Sequence, residues 1–112
     1  MFFRELDKQV LVADAPMQGK DMAEAAARGV TLAINNRPDH EGGPEQPTSA
    51  TIEAAAVSAG LRYAYLPVAP SIQTPDEIEK FARLIDEMPK PILAFCRSGT
   101  RSGKLFQAAS RG

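Results

Sequence analysis

The chain has 112 residues, 44% hydrophobic and 24% charged, which is enough for one core and too little to divide. Its single cysteine excludes an internal disulfide and, with a single histidine beside it, a cysteine/histidine zinc site. The net charge of −1 is unevenly placed, since residues 1–88 carry eight Lys/Arg against fourteen Asp/Glu, while residues 89–112 carry Lys90, Arg97, Arg101, Lys104 and Arg111 and no acid. A nucleic-acid-binding surface would spread basic charge more widely and interleave aromatics, so a small anion is the expected partner. No apolar run approaches the ~20 residues of a membrane span and no secretory leader pattern opens the chain. A cytoplasmic protein with no membrane partner, no metal and no cofactor is therefore expected.

Phe2 to Leu6 and Val10 to Ala13 read as two short strands around an Asp7-Lys8-Gln9 turn. Asp21 to Arg28 is alanine-rich and predicted helical, with Gly29 as its stop. Val30 to Asn35 is an apolar run suited to a buried strand. It opens into the turn-rich segment Arg37 to Pro47, expected as a surface loop. Thr48 or Ser49 caps the next helix, whose Ile52, Ala55, Ala56 and Ala59 share a face before Gly60. Leu61 to Val68 is a further strand, with Tyr63 and Tyr65 expected as packing residues. Thr74-Pro75-Asp76-Glu77 carries the threonine, proline and glutamate of a helix start, and Ile78, Phe81, Ala82 and Ile85 follow helical spacing. Asp76, Glu77 and Glu79 are the acidic first turn of that helix. Pro91 to Phe95 is an apolar strand, and Ser102 to Ser110 a last helix.

Strands alternating with helices from residue 21 onward predict an α/β fold, a mostly parallel sheet flanked by helices. Ligands of such sheets bind at the C-terminal ends of the strands. Cys96 lies at that edge, and the Arg37 to Pro47 loop leaves a strand there as well.

Cys96-Arg97-Ser98-Gly99-Thr100-Arg101 joins a strand to a helix, a junction that points backbone N–H groups and the positive end of the helix dipole at the loop. Gly99 lets the chain curl, and Arg101 offers a planar fork to a tetrahedral oxyanion. Cys96 in this ring is expected to ionise below the ordinary thiol value of ~8.5. Ser98, Thr100 and Ser102 supply hydroxyls; Ser102 either donates to the thiolate or caps the helix. Arg97 and Arg37 are candidate anion contacts. Asp39 is a possible general acid and His40 a second acid–base candidate, both on a loop where solvated residues are common.

The stretch Cys96 to Ser102 resembles the phosphatase-like domain family of beta-lactamase-hydrolase-like proteins. So do Ile34-Asn35-Asn36-Arg37-Pro38-Asp39, Gln46-Pro47, Ile52-Glu53-Ala54-Ala55-Ala56 and Leu66-Pro67-Val68. The resemblance implies one cysteine-phosphatase-like domain over residues 1–112, with a fold like that of dual-specificity phosphatases. It also implies a persulfide dioxygenase as a partner, because the family occurs fused to such a domain.

Two reactions follow for Cys96. Tyrosine phosphatases generally carry Cys-x5-Arg after a histidine, with an aspartic acid elsewhere. Cys96-x4-Arg101 after Phe95 instead resembles the loop of rhodanese sulfurtransferases. Sulfane-sulfur transfer through a Cys96 persulfide needs no acid to protonate an alkoxide, whereas phosphoester cleavage gains from one. The loop therefore favours sulfur transfer, with phosphomonoester hydrolysis through a phosphocysteine as the alternative. A silent anion-binding or redox-sensing module at the same pocket is a second alternative.

Overall fold

The computed structural model describes residues 3–111. They form a five-stranded sheet in the order β1-β2-β5-β3-β4, built from β1 (Phe3–Asp7), β2 (Val10–Ala13), β3 (Leu32–Asn35), β4 (Arg62–Tyr65) and β5 (Ile92–Phe95). Only the β1–β2 hairpin is antiparallel; β2 with β5, β5 with β3, and β3 with β4 all run parallel. The mostly parallel α/β expectation is therefore what the chain adopts. Phe2, expected to open the first strand, lies outside the described residues.

Four helices cover the sheet: α1 (Asp21–Ala27), α2 (Ser49–Ser58), α3 (Pro75–Glu87) and α4 (Thr100–Arg111). Alternation along the central strands divides their side chains between two cores. Ala33, Leu93 and Phe95 pack with Met22, Ala25, Ile52 and Ala56 of α1 and α2. Leu32, Ile34, Ile92 and Ala94 pack with Phe81 of α3 and Leu105 of α4. β3 and β5 are buried at every position, as strands covered on both faces must be, which is why their sequences read as unbroken apolar runs.

Helix starts follow local chemistry. Thr74 accepts from the Glu77 N–H at 3.2 Å, and Glu77 Oε1 accepts from the Thr74 N–H at 2.9 Å, closing a capping box ahead of Pro75. Thr48 caps α2 by accepting from the Thr51 N–H. Three boundaries differ from the sequence reading by two residues or more. β3 starts two residues late, because the Val30 N–H is spent on the Ala25 carbonyl of α1 at 3.1 Å. β4 stops at Tyr65, after which the Leu66 and Val68 N–H groups donate to the carbonyls of Asn35, the last residue of β3, and of Asn36 just beyond it. α4 starts at Thr100, so Arg101 and Ser102 stand in its first turn. Among the described residues no helix is long and apolar enough to cross a membrane.

Candidate active site

β5 ends at Phe95, the chain turns through Cys96 to Gly99, and α4 begins at Thr100. Gly99 is dictated twice over. Its φ of +91° is left-handed, and a Cβ there would stand 2.7 Å from the Ala13 carbonyl oxygen at the end of β2. The curl of the loop is therefore set against the neighbouring strand.

Cys96 is 1% exposed, and its Sγ accepts from the Gly99 N–H at 3.2 Å. Burial pushes the thiol pKa up. The N–H groups of Ser102 and Ser98, the Ser102 hydroxyl and the Gly99 N–H together outweigh it, so the group ionises below its ordinary value. Ser102 is fully buried and its hydroxyl donates to Asn36 Oδ1 at 2.8 Å. Asn36, also fully buried, donates from Nδ2 to the Leu66 carbonyl at 2.9 Å. It thereby ties the end of β3 to α4 and to the segment after β4. Sequence reading gave Asn36 no role. Its signal was a polar residue directly after an apolar strand, at the sheet edge where ligands bind.

Arg101 is 8% exposed and is held from several sides. Nη1 donates to the Val68 carbonyl at 3.1 Å and lies 3.0 Å from Glu41 Oε2, while Nη2 donates to Glu41 Oε1 at 3.2 Å. Arg37 Nε reaches the same Glu41 oxygen at 3.2 Å. Arg101 Nε is buried without a hydrogen-bond partner among the described residues. The guanidinium thus keeps one edge on Glu41 and one donor unspent. Glu41, absent from the sequence-based candidates, is the acid that reaches this place.

Asp39 is elsewhere. Its Oδ1 accepts from the Ser49 N–H at 2.7 Å, at the start of α2, and its own N–H donates to the Tyr65 hydroxyl at 2.8 Å. The Tyr63 hydroxyl sits 2.7 Å from Ser49 Oγ and accepts from Asn35 Nδ2 at 2.9 Å. Burial raises the Tyr63 pKa against these two bonds, so the hydroxyl remains a proton carrier in the network. Of the two tyrosines, both expected only to pack, Tyr65 pins the Arg37 to Pro47 loop through its hydroxyl, while the Tyr63 hydroxyl joins the end of β3 to the start of α2. His40 is exposed, at a φ of +69°.

Cys96, Arg97, Ser98, Thr100 and Arg101 line one cleft of about 220 Å³, together with Lys104 and Pro70. A larger space of about 590 Å³ beside it is lined by Arg37, Glu41, Arg97 and Arg101 with Pro16, Gly42 and Pro70. Sequence-selected residues from two distant segments thus meet around one thiol, and Asp39 is not among them. Among the described residues no cluster of His, Cys, Asp or Glu could hold a metal ion.

A helix-flanked, mostly parallel sheet whose central strand feeds a thiol into a helix N-terminus defines the cysteine-phosphatase-like class of α/β folds. Residues 3–112 match the family described as beta-lactamase hydrolase-like protein, phosphatase-like domain, and the chain belongs to that family. A beta-lactamase hydrolase-like protein of Agrobacterium fabrum is 33% identical over 101 residues, covering 90% of this chain and 23% of that protein. The chain thus spans about a quarter or less of the curated relatives it matches. A crystal structure from Neisseria meningitidis, described as a candidate phosphatase, is similar with a TM-score of 0.87 at 31% identity, covering 95% of this chain and 74% of that one. TpbA of P. aeruginosa, solved with phosphotyrosine, shares the fold at 16% identity, with a TM-score of 0.67 over 93% of this chain and 59% of that one. The family match and the likeness to the Neisseria meningitidis protein support the phosphatase alternative better than the sulfur-transfer reading that the loop length favours.

Proposed function

We propose that the chain is a cysteine-dependent hydrolase of small phosphomonoesters. The Cys96 thiolate attacks phosphorus, the P–O ester bond breaks, and the leaving group departs with its electron pair. Water then cleaves the S–P bond of the phosphocysteine, releasing inorganic phosphate and restoring the thiolate. The observation that carries this reading is the Cys96 thiol held below its ordinary pKa by a ring of N–H donors at the start of α4. The same donors face charge developing on phosphoryl oxygens, and the unspent Nε of Arg101 adds another. Arg97 and Lys104 at the cleft, and Arg37 beside it, suit an anionic substrate.

The acid side of the reaction is poorer. Asp39 is spent on the Ser49 N–H at the start of α2, and Glu41 is committed to Arg37 and Arg101. General acid help is typically worth 10²–10⁴-fold, so the favoured substrates are those whose leaving groups depart as stable anions, aryl phosphates among them.

The same deficit favours a second reading, sulfane-sulfur transfer. There the Cys96 thiolate attacks the outer sulfur of thiosulfate or of a persulfide, sulfite or a thiolate leaves, and the Cys96 persulfide passes its sulfur to a nucleophilic acceptor. Cys96-x4-Arg101 supplies one fewer backbone donor than the Cys-x5-Arg loop of phosphatases, and sulfur transfer asks for no acid. A persulfide dioxygenase would be a fitting partner for that reaction.

The test is kcat/KM for aryl phosphate hydrolysis against thiosulfate-to-cyanide transfer on one preparation. Phosphate hydrolysis is expected to exceed sulfur transfer. The reverse order would replace this reading with the second, and turnover of neither would leave a silent anion-binding or redox-sensing module.

A further inference from the structure

We propose that Glu41 is a charge filter for the anion loop, a positioning residue that aims Arg101 while setting the loop's preference between singly and doubly charged oxyanions. The inference rests on the Cys96 to Arg101 loop being an anion site, and not on which reaction follows.

Glu41 does not meet Arg101 by chance of a surface loop. Its carboxylate contacts Arg101 through both oxygens, at 3.0 and 3.2 Å, and Arg37 at 3.2 Å, with its side chain only 20% exposed. The loop is shaped around this contact. Residue 40 takes a left-handed φ of +69° that side chains seldom adopt, immediately before Glu41. A Cβ on Gly42 would stand 2.5 Å from Arg37 Nη2 and 3.0 Å from Gln46 Oε1. Gly42 N–H donates to Gln46 Oε1 at 2.6 Å, and Gln46 Nε2 donates to the Pro38 carbonyl at 2.9 Å. Tyr65 and Ser49 anchor the loop through Asp39.

The consequence is electrostatic. Arg101 lines the cleft with Cys96 and has one buried donor unpartnered, so an anion seated there shares a single guanidinium with Glu41. Coulomb repulsion scales with the charge of the guest, so the Glu41 carboxylate penalises a dianion about twice as heavily as a monoanion. Glu41 and the Cys96 thiolate together offset the two charges of Arg37 and Arg101, and the exposed Arg97 and Lys104 are left as the further cations at the cleft.

Sulfate and methanesulfonate separate charge from shape, because both are tetrahedral sulfur oxyanions and carry two charges and one at neutral pH. Their power to protect Cys96 from iodoacetamide reads the anion site without any turnover. In the wild-type chain the two should half-protect at concentrations within about threefold of each other, despite the double charge of sulfate. In Glu41→Gln the ratio should move about tenfold in favour of sulfate, and Glu41→Asp, which keeps the charge, should stay near the wild-type ratio. Three results would each overturn the proposal: a wild-type site that already prefers sulfate tenfold, a Gln variant in which both anions shift together, or protection by neither. The wild-type arm stands even if Glu41→Gln does not fold. A chain that fails to hydrolyse aryl phosphates would overturn the hydrolase reading and leave this comparison intact.

Discussion

Ser102 has one hydroxyl hydrogen and two acceptors that want it. Asn36 Oδ1 holds it at 2.8 Å, and the Cys96 sulfur is stabilised by the same hydroxyl. The N–H groups of Ser102, Ser98 and Gly99 serve the thiolate constantly, while the hydroxyl serves it only when turned from Asn36. Ser102→Ala should therefore raise the Cys96 pKa without abolishing the thiolate. It should also strand a buried Asn36 oxygen, at a cost of about 1–3 kcal/mol. Iodoacetamide alkylation followed against pH measures the first effect. The wild-type midpoint should lie below the ordinary thiol value, and the variant midpoint above the wild-type one. An unmoved midpoint would show that the hydroxyl contributes nothing.

The sign extends to stability. A thiol whose native pKa is depressed stabilises the fold at pH values above its unfolded pKa. That contribution is lost as pH falls through the native pKa. Cys96 and the loop glycine were legible in the sequence because their chemistry is local. Glu41 was not, because nothing in Asp39-His40-Glu41 announces the left-handed residue that turns the third side chain toward Arg101.

At the scale of elements, the junction of β5 with α4 is fixed by its neighbour, β2. Gly99→Ala would bring a Cβ within 2.7 Å of the Ala13 carbonyl and force a side chain onto a φ of +91°. The positive φ alone costs about 1–3 kcal/mol. The clash adds to it, and the strand end or the loop must shift. Urea unfolding should show at least that loss, together with reduced alkylation selectivity at Cys96. A variant as stable as wild type would mean that β2 yields to the loop.

The boxed start of α3 and the buried runs of β3 and β5 were legible because each rests on contacts within a few residues or on a period of two. The ends of β4 and α4 were misplaced for the opposite reason. β4 stops where Leu66 and Val68 find the carbonyls of Asn35 and Asn36, and α4 starts where Gly99 reverses the chain, both set by partners far away in sequence.

Over the whole molecule, alternation of strands and helices predicted a parallel sheet with its site at the strand ends, and Asn36, Arg37 and Cys96 do meet there. The order β1-β2-β5-β3-β4 could not be read from any local pattern, since it is decided by which faces pair into two cores. That order places the loop after β3 next to the loop after β5. It is the reason Glu41 meets Arg101, sixty residues away, beside the cleft that holds the thiol.

The central claim is that Cys96 itself takes the transferred group. Intact mass spectrometry of the chain, quenched in acid during turnover of an aryl phosphate and separately after thiosulfate, tests this most directly. The account predicts a covalent adduct on Cys96, a phosphoryl group from the first substrate or a single sulfur from the second, and none on a folded Cys96→Ser variant. Turnover that persists in Cys96→Ser, or an adduct mapped to any other residue, would contradict it.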